Sequence, residues 1–150
     1  ALSVVRAAEQ GGWLPRWGYG TVETNIMTGD PVTPFLTNAY QQGLLHGWEE
    51  RAYRALKKNA DGVPPADSPA VGREANREYL ADGFAPYVKG RPHAKPGDSD
   101  YDHGASATLE YALSDAGPRP RPRRGREAVR GARPELPQRL RPLHRLLPRP

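Results

Sequence analysis

Near Ala116 the chain changes character. Residues 117–150 hold eleven arginines, eight prolines and two glutamates, with no Lys, Asp, Asn, Ser, Thr, Tyr, Phe or Ile. That segment nets +9, while the eleven cations and fifteen acids of residues 1–116 net −4, so the overall charge of +5 describes neither part. A run of arginine and proline without aliphatic periodicity cannot bury enough apolar surface to offset the entropy of ordering it. Residues 1–116 are therefore the part that can fold. The chain has no cysteine, which excludes disulfides, thiolate catalysis and Cys-ligated zinc or iron–sulfur sites. No window of eighteen apolar residues exists, which excludes a membrane-spanning helix. The chain opens on Ala1 without a charged-then-apolar leader and reads as a fragment of a longer protein.

The body reads as helices joined by long loops. Leu2–Gln10 is a helical run stopped by Gly11-Gly12. Thr33 before Pro34 predicts an N-cap and first helical position. The helix it opens carries Leu36, Ala39, Tyr40, Leu44 and Leu45 on one stripe, with Gly43 marking a close contact or an early end. A partner from about Trp48 to Asn59 faces inward through Trp48, Ala52 and Leu56, so the two form an αα-hairpin. Residues 60–72 are turn-rich, a short helix is predicted around Arg73–Ala81, and Gly83–Tyr87 reads as extended. After a polar loop over 90–104, a last helix from about Ser106 to Ala116 has Leu109, Tyr111, Ala112 and Leu113 as its apolar set. No run has a convincing strand period, so the body is mainly α. Helices with such long loops bury too little alone, which implies missing neighbours.

The tail has two readings. One is a basic arm that holds nucleic acid through phosphate charge, though it lacks the lysines and stacking aromatics of such arms. The other is a GC-rich gene read out of frame, since CGN and CCN codons give Arg and Pro. Taking the last two bases of each codon from Arg133 to Pro148 with the first of the next permits the string GQNYRNVYDPSTGFFR. The same shift turns Gly117–Arg123 into an alternation that permits Ala-Leu-Ala-Leu, continuing the last helix. The frame error is the preferred reading, and under it the basic tail is not a functional element.

The segment Gly11–Pro31 is the richest in chemistry. Indole rings beside an arginine and carboxylates suit a sugar, whose apolar face stacks on a ring while its hydroxyls take charged partners. The same residues also suit Trp13 and Trp17 as packing anchors with Glu23 as a local cap, and composition does not choose between the two. His46, Glu49 and Glu50 have metal-ligand spacing, but Gly47 interrupts them and a solvated helix start fits better. Asp98, Asp100 and Asp102 imitate an EF-hand opening, yet the required Gly and Glu positions hold His103 and Leu109. A polar surface loop is the expectation there. No phosphate loop, nucleophile elbow or catalytic-triad order is present.

Four stretches in order resemble glycoside hydrolase family 92, the calcium-dependent exo-acting α-mannosidases. They are Gly12-Trp13-Leu14-Pro15-Arg16-Trp17, Glu23-Thr24-Asn25-Ile26-Met27-Thr28-Gly29-Asp30-Pro31, Asn38-Ala39-Tyr40-Gln41-Gln42-Gly43 and Ser106–Asp115. The out-of-frame string is similar to the family's continuation, with its Asn-Tyr and Asp-Pro-x-x-Gly-Phe. The resemblance implies part of an (α/α)6 toroid, with a β-sandwich upstream, and inverting hydrolysis of α-mannosides, often α-1,2-linked, with Ca²⁺ on the sugar ring. Inversion needs an acid and a base roughly 6.5–9.5 Å apart. By the family's motif order both, and most calcium ligands, lie beyond this fragment, so no catalytic residue or metal ligand is assigned. Arg16, Trp17 and Glu23 are the candidates for the wall of the mannose subsite, with Asp30 a lesser one. The Ser106–Asp115 helix is framework, in which Glu110 orients a loop, and residues 60–72 and 88–103 are variable loops. The expectation is thus a fragment of a secreted or periplasmic bacterial α-mannosidase. Its partner is an α-mannoside glycan, with neither nucleic acid nor membrane, and the truncated chain is inactive. The alternatives are another (α/α)6 glycosidase, trehalase-like or glucoamylase-like, and a small nucleic-acid-binding protein using the tail.

Overall fold

The computed structural model describes residues 1–20, 22–93 and 95–117. The nucleic-acid arm and the shifted frame, both expected on 117–150, lie outside the described residues from 118 onward.

Periodicity places the first three helices. Helix α1 (Leu2–Gly11) buries Val5 and Ala8 and ends on Gly12, in the left-handed region. Helix α2 (Val32–Gln41) buries Thr33, Leu36, Thr37 and Ala39. It begins one residue before the predicted Thr33 cap, because the cap is supplied from further upstream. Asp30 accepts from the Thr33 amide at 3.2 Å and the Thr33 hydroxyl at 2.7 Å, a side-chain cap from three residues back. Helix α3 (Glu49–Asp61) buries Ala52 and follows Trp48, whose ring centre has the guanidinium carbons of Arg6 and Arg51 at 5.0 and 3.7 Å. Glu49 and Glu50 occupy its first turn and Glu50 pairs with Arg54, the solvated helix start the sequence indicated.

These three helices close one core, made of Val5, Ala8, Leu14, Leu36, Ala39, Leu45 and Ala52, with Trp48 and Leu56 half-buried against it. Full burial of a side chain such as Val5, Leu36 or Leu45 contributes about 1.5–3 kcal/mol. Tyr40 and Leu44, expected on the same stripe, are instead exposed at 52% and 65%. Tyr40 lies within α2 but off its buried face of Thr33, Leu36, Thr37 and Ala39; the helix stops at Gln41, so Leu44 leaves the helical period and Leu45 turns inward.

A second core gathers Ala75, Tyr79, Ala85, Tyr101, Ala107 and Tyr111 between α4 (Asn76–Asp82) and α5 (Gly104–Ala116). Tyr79 meets Tyr111 edge to face, with centroids 5.1 Å apart. Helix α5 starts two residues earlier than predicted and turns a different face inward. Gly104, Ala107, Tyr111 and Ser114, spaced three, four and three, are buried, while Leu109 and Leu113 are 72% and 59% exposed. Gly83–Tyr87, expected as extended, forms no strand. Among the described residues the only strands are β1 (Gly18–Tyr19) and β2 (Val22–Glu23), a two-residue antiparallel pair in which Gly18 faces Glu23. The described part is thus mainly helical, and none of its helices is long and apolar enough to cross a membrane.

Candidate active site

Among the described residues of the loop from Trp13 to Pro31 the small β1–β2 pair is the only regular structure, yet hydrogen bonds hold its backbone at Arg16, Trp17, Asn25, Met27 and Gly29. Its inner brace is Glu23. One carboxylate oxygen accepts from the Arg16 amide at 2.6 Å, and the other from the amides of Trp17 at 3.0 Å and Asn25 at 2.8 Å. Asn25 is buried in the left-handed conformation, φ 53°. Its amide group donates to the Pro69 carbonyl at 3.1 Å and its side-chain oxygen accepts from the Val71 amide at 3.2 Å. Met27 also has positive φ, 69°, and its amide donates to Asp98 at 2.9 Å. Non-glycine residues held there cost about 1–2 kcal/mol each and persist only where their surroundings fix them.

The outer brace is Asp100. This residue is fully buried, and its two oxygens accept from four separate segments. Arg16 donates at 2.7 Å, the Gly29 amide at 3.0 Å and the Glu74 amide at 2.9 Å, and the Tyr111 hydroxyl also bonds to it. Burial and the Asp100 charge together push the Tyr111 phenol far above its ordinary range, so it stays a donor. The Asp98–Asp102 stretch is therefore not the polar surface loop its spacing suggested. Asp98 and Asp100 bind the candidate loop and Asp102 pairs with His93 at 2.6 Å, so the three carboxylates take three different partners.

Close packing completes the bed. Gly29, φ 94°, lies so near α5 that a β-carbon on it would sit 2.5 Å from Glu110 Cβ, which sets Glu110 beneath the loop. Gly97, φ 105°, leaves the same 2.5 Å to the carbonyls of Thr24 and Asn25. Only glycine fits at either place.

A second buried ion network runs beside the first. Arg73, 1% exposed at its side chain, donates to Asp30 at 2.9 Å and to Asp115 at 2.7 Å. Burial lowers its proton affinity, but Asp30 and Asp115 more than compensate and hold its pKa above the ordinary value. Ser114 donates to the Asp30 carbonyl at 3.0 Å, and Tyr79 to Asp115 at 3.2 Å.

The named candidates therefore take distinct places. Trp17 is 46% exposed, and Tyr19, Val22, Ile26 and Met27 of the same loop are as open or nearly so. Trp13 is buried and donates from its indole nitrogen to Asn59 at 2.8 Å. Arg16 has a 1% exposed side chain and also donates to the Gly72 and Met27 carbonyls, at 2.6 and 3.3 Å. Glu23 and Asp30 have their oxygens engaged as described. Trp17 is the member of the set that is exposed to solvent. A cleft of about 300 Å³ between α1 and α3 is lined by Trp13, Glu9, Arg51 and Lys58, but its charges pair with one another or with the Gly12 carbonyl.

Calcium takes six to eight oxygen ligands. Among the described residues no three His, Asp or Glu side chains gather to hold a metal, and the buried carboxylates here already bind arginine, amide or hydroxyl donors. The described residues do not by themselves fit the ion.

Sequence reasoning missed Asp100, Arg73 and the role of Asn25. For Arg73 and Asp100 the only signal was a surplus of charged residues flanking turns, which reads the same as a solvated loop, and nothing in the Glu23–Pro31 stretch marked Asn25 as buried.

A helical scaffold carrying one long, braced, glycine-rich loop with an exposed tryptophan has the build of a carbohydrate-processing domain. Residues 1–118 match the glycosyl hydrolase family 92 catalytic domain, and the chain belongs to that family. It is glycoside hydrolase sequence, and glycans are its substrate class. No curated protein and no solved structure matches it.

Proposed function

We propose that this chain is part of the catalytic domain of an exo-acting, inverting α-mannosidase, secreted or periplasmic and bacterial, whose helices belong to an (α/α)6 toroid. The loop from Trp13 to Pro31 would then form one wall of the mannose subsite, with the Trp17 indole stacking on the apolar face of the sugar. The observation that carries this is the exposure of Trp17 on a backbone braced by Glu23 and Asp100. A rigid ring presented this way gives contact area at little entropic cost on binding. Arg16 and Glu23 serve that wall from behind. The acid and base of inversion belong to other segments of the domain, as does any calcium site, so no step is routed through them here. The chain alone is expected to be inactive, consistent with Leu109 and Leu113 lying open on α5.

The test is direct. Methyl α-mannoside should perturb the tryptophan emission of the 150-residue chain more than methyl α-glucoside does, and Trp17→Ala should weaken binding about tenfold, the size of one lost stacking contact. Preference for the glucoside would point to another toroid glycosidase. Mannose release from α-1,2-mannobiose by this chain would overturn its expected inactivity.

A further inference from the structure

Asp100 stands outside the four stretches that carried the resemblance, yet it joins more segments of the loop's surroundings than any other described carboxylate. A carboxylate offers about four lone-pair positions. Four donors reach it, Arg16 near the loop's beginning, Glu74 in the turn before α4 and Tyr111 on α5 at one oxygen, and Gly29 near the loop's end at the other. Glu74 in turn accepts from the Asp100 amide at 2.9 Å and the Ser99 hydroxyl at 2.8 Å, so the arrangement is reciprocal. Fixing residues 16 and 29 to the two oxygens of one buried group sets the span between them, and Trp17 follows Arg16 directly.

We propose that Asp100 is a positioning residue for glycan binding, acting through Arg16 and Gly29 to hold the Trp17 ring at its working angle. This rests on the reading of the loop as a sugar-binding wall. Asp100 never meets the sugar itself, being fully buried. Its loss would act on affinity through the ring's placement.

The three tryptophans make the loop observable. In the full chain labelled with fluorotryptophan, fluorine NMR gives one resonance per indole, and Trp17→Phe assigns that of Trp17. Asp100→Asn keeps the shape but replaces an acceptor oxygen with a donor. It should shift and broaden the Trp17 resonance, leave that of Trp48 in place, and weaken methyl α-mannoside binding about tenfold, the scale of one lost charge-assisted hydrogen bond. An unmoved Trp17 resonance with unchanged affinity would overturn the proposal. A wild-type chain that ignores the mannoside while Asp100→Asn still moves Trp17 would remove the sugar reading and leave the positional link. Should Asp100→Asn lose all three resonances by unfolding, Tyr111→Phe removes one of the four donors with little change in packing. It should move Trp17 the same way by a smaller amount, and no movement there would also overturn the proposal.

Discussion

Arg16, Arg73 and Asp100 are almost excluded from water, and each is held by partners distant in sequence. Breaking one partner of such a pair typically costs about 3–5 kcal/mol, because a charge is left buried without compensation. His93 and Asp102 form the contrasting case, an exposed pair in the same stretch. The hydrogen bond to Asp102 raises the His93 pKa above its usual value, with the Asp102 charge adding to it, so folding favours the protonated ring. The contribution of the pair is fully present below the ordinary histidine value of about 6.5 and disappears as pH rises through the raised one. NMR titration should show the His93 midpoint falling when Asp102 becomes Asn. An unchanged midpoint would show that the pair does not form in solution. These residues also mark the limit of the sequence. Asp98, Asp100 and Asp102 are one residue type at one spacing, yet one bonds to a backbone amide at the loop's surface, one is fully buried and one pairs with an exposed histidine. What separates them is the position of Arg16 and Tyr111 in space, which no local pattern encodes.

Among the elements, α1 and α3 were legible because apolar spacing and glycine stops agree there, while α2 was legible in its first turns but ends on Gln41, before the Leu44 and Leu45 expected on its stripe. Helix α5 was legible in place but not in orientation. Its leucines suggested one face, while its buried face is built from Gly104, Ala107, Tyr111 and Ser114, small or polar residues that hydropathy does not mark. Their value lies in close approach and in hydrogen bonds, Ser114 to Asp30 and Tyr111 to Asp100. Leu109→Glu and Leu113→Glu should therefore change the stability of this chain by no more than about 0.5 kcal/mol, while Tyr111→Ala should cost about 3–5 kcal/mol in chemical denaturation. A large loss with either glutamate would mean that the exposed side of α5 is covered in solution. The turn-rich and polar stretches over 60–72 and 88–103, which carried no motif, prove to be the bed of the candidate loop through Pro69, Val71, Gly72 and Asp98.

For the whole molecule, the family match over residues 1–118 ends close to where the composition breaks. If residues 117–150 are translated out of frame, the coding DNA between the codons for Ala116 and Pro150 should contain one base gained or lost. Correcting that base should restore the Asn-Tyr and Gly-Phe-Phe text. A clean frame would make the segment a true Arg/Pro arm, and binding to an acidic partner with a steep salt dependence would become the property to measure. The Asp100 brace carries one more consequence. Its bonds to Arg16 and Gly29 span 84 and 71 residues, and Ser114 reaches Asp30 across another 84. Contacts so far apart close late, since the intervening chain must first be brought together. On the ribosome, the segment bearing Trp17 emerges before the Asp100 stretch and α5 and stays without its final shape until they have followed it. The residues that fix the candidate wall are thus made after the wall itself.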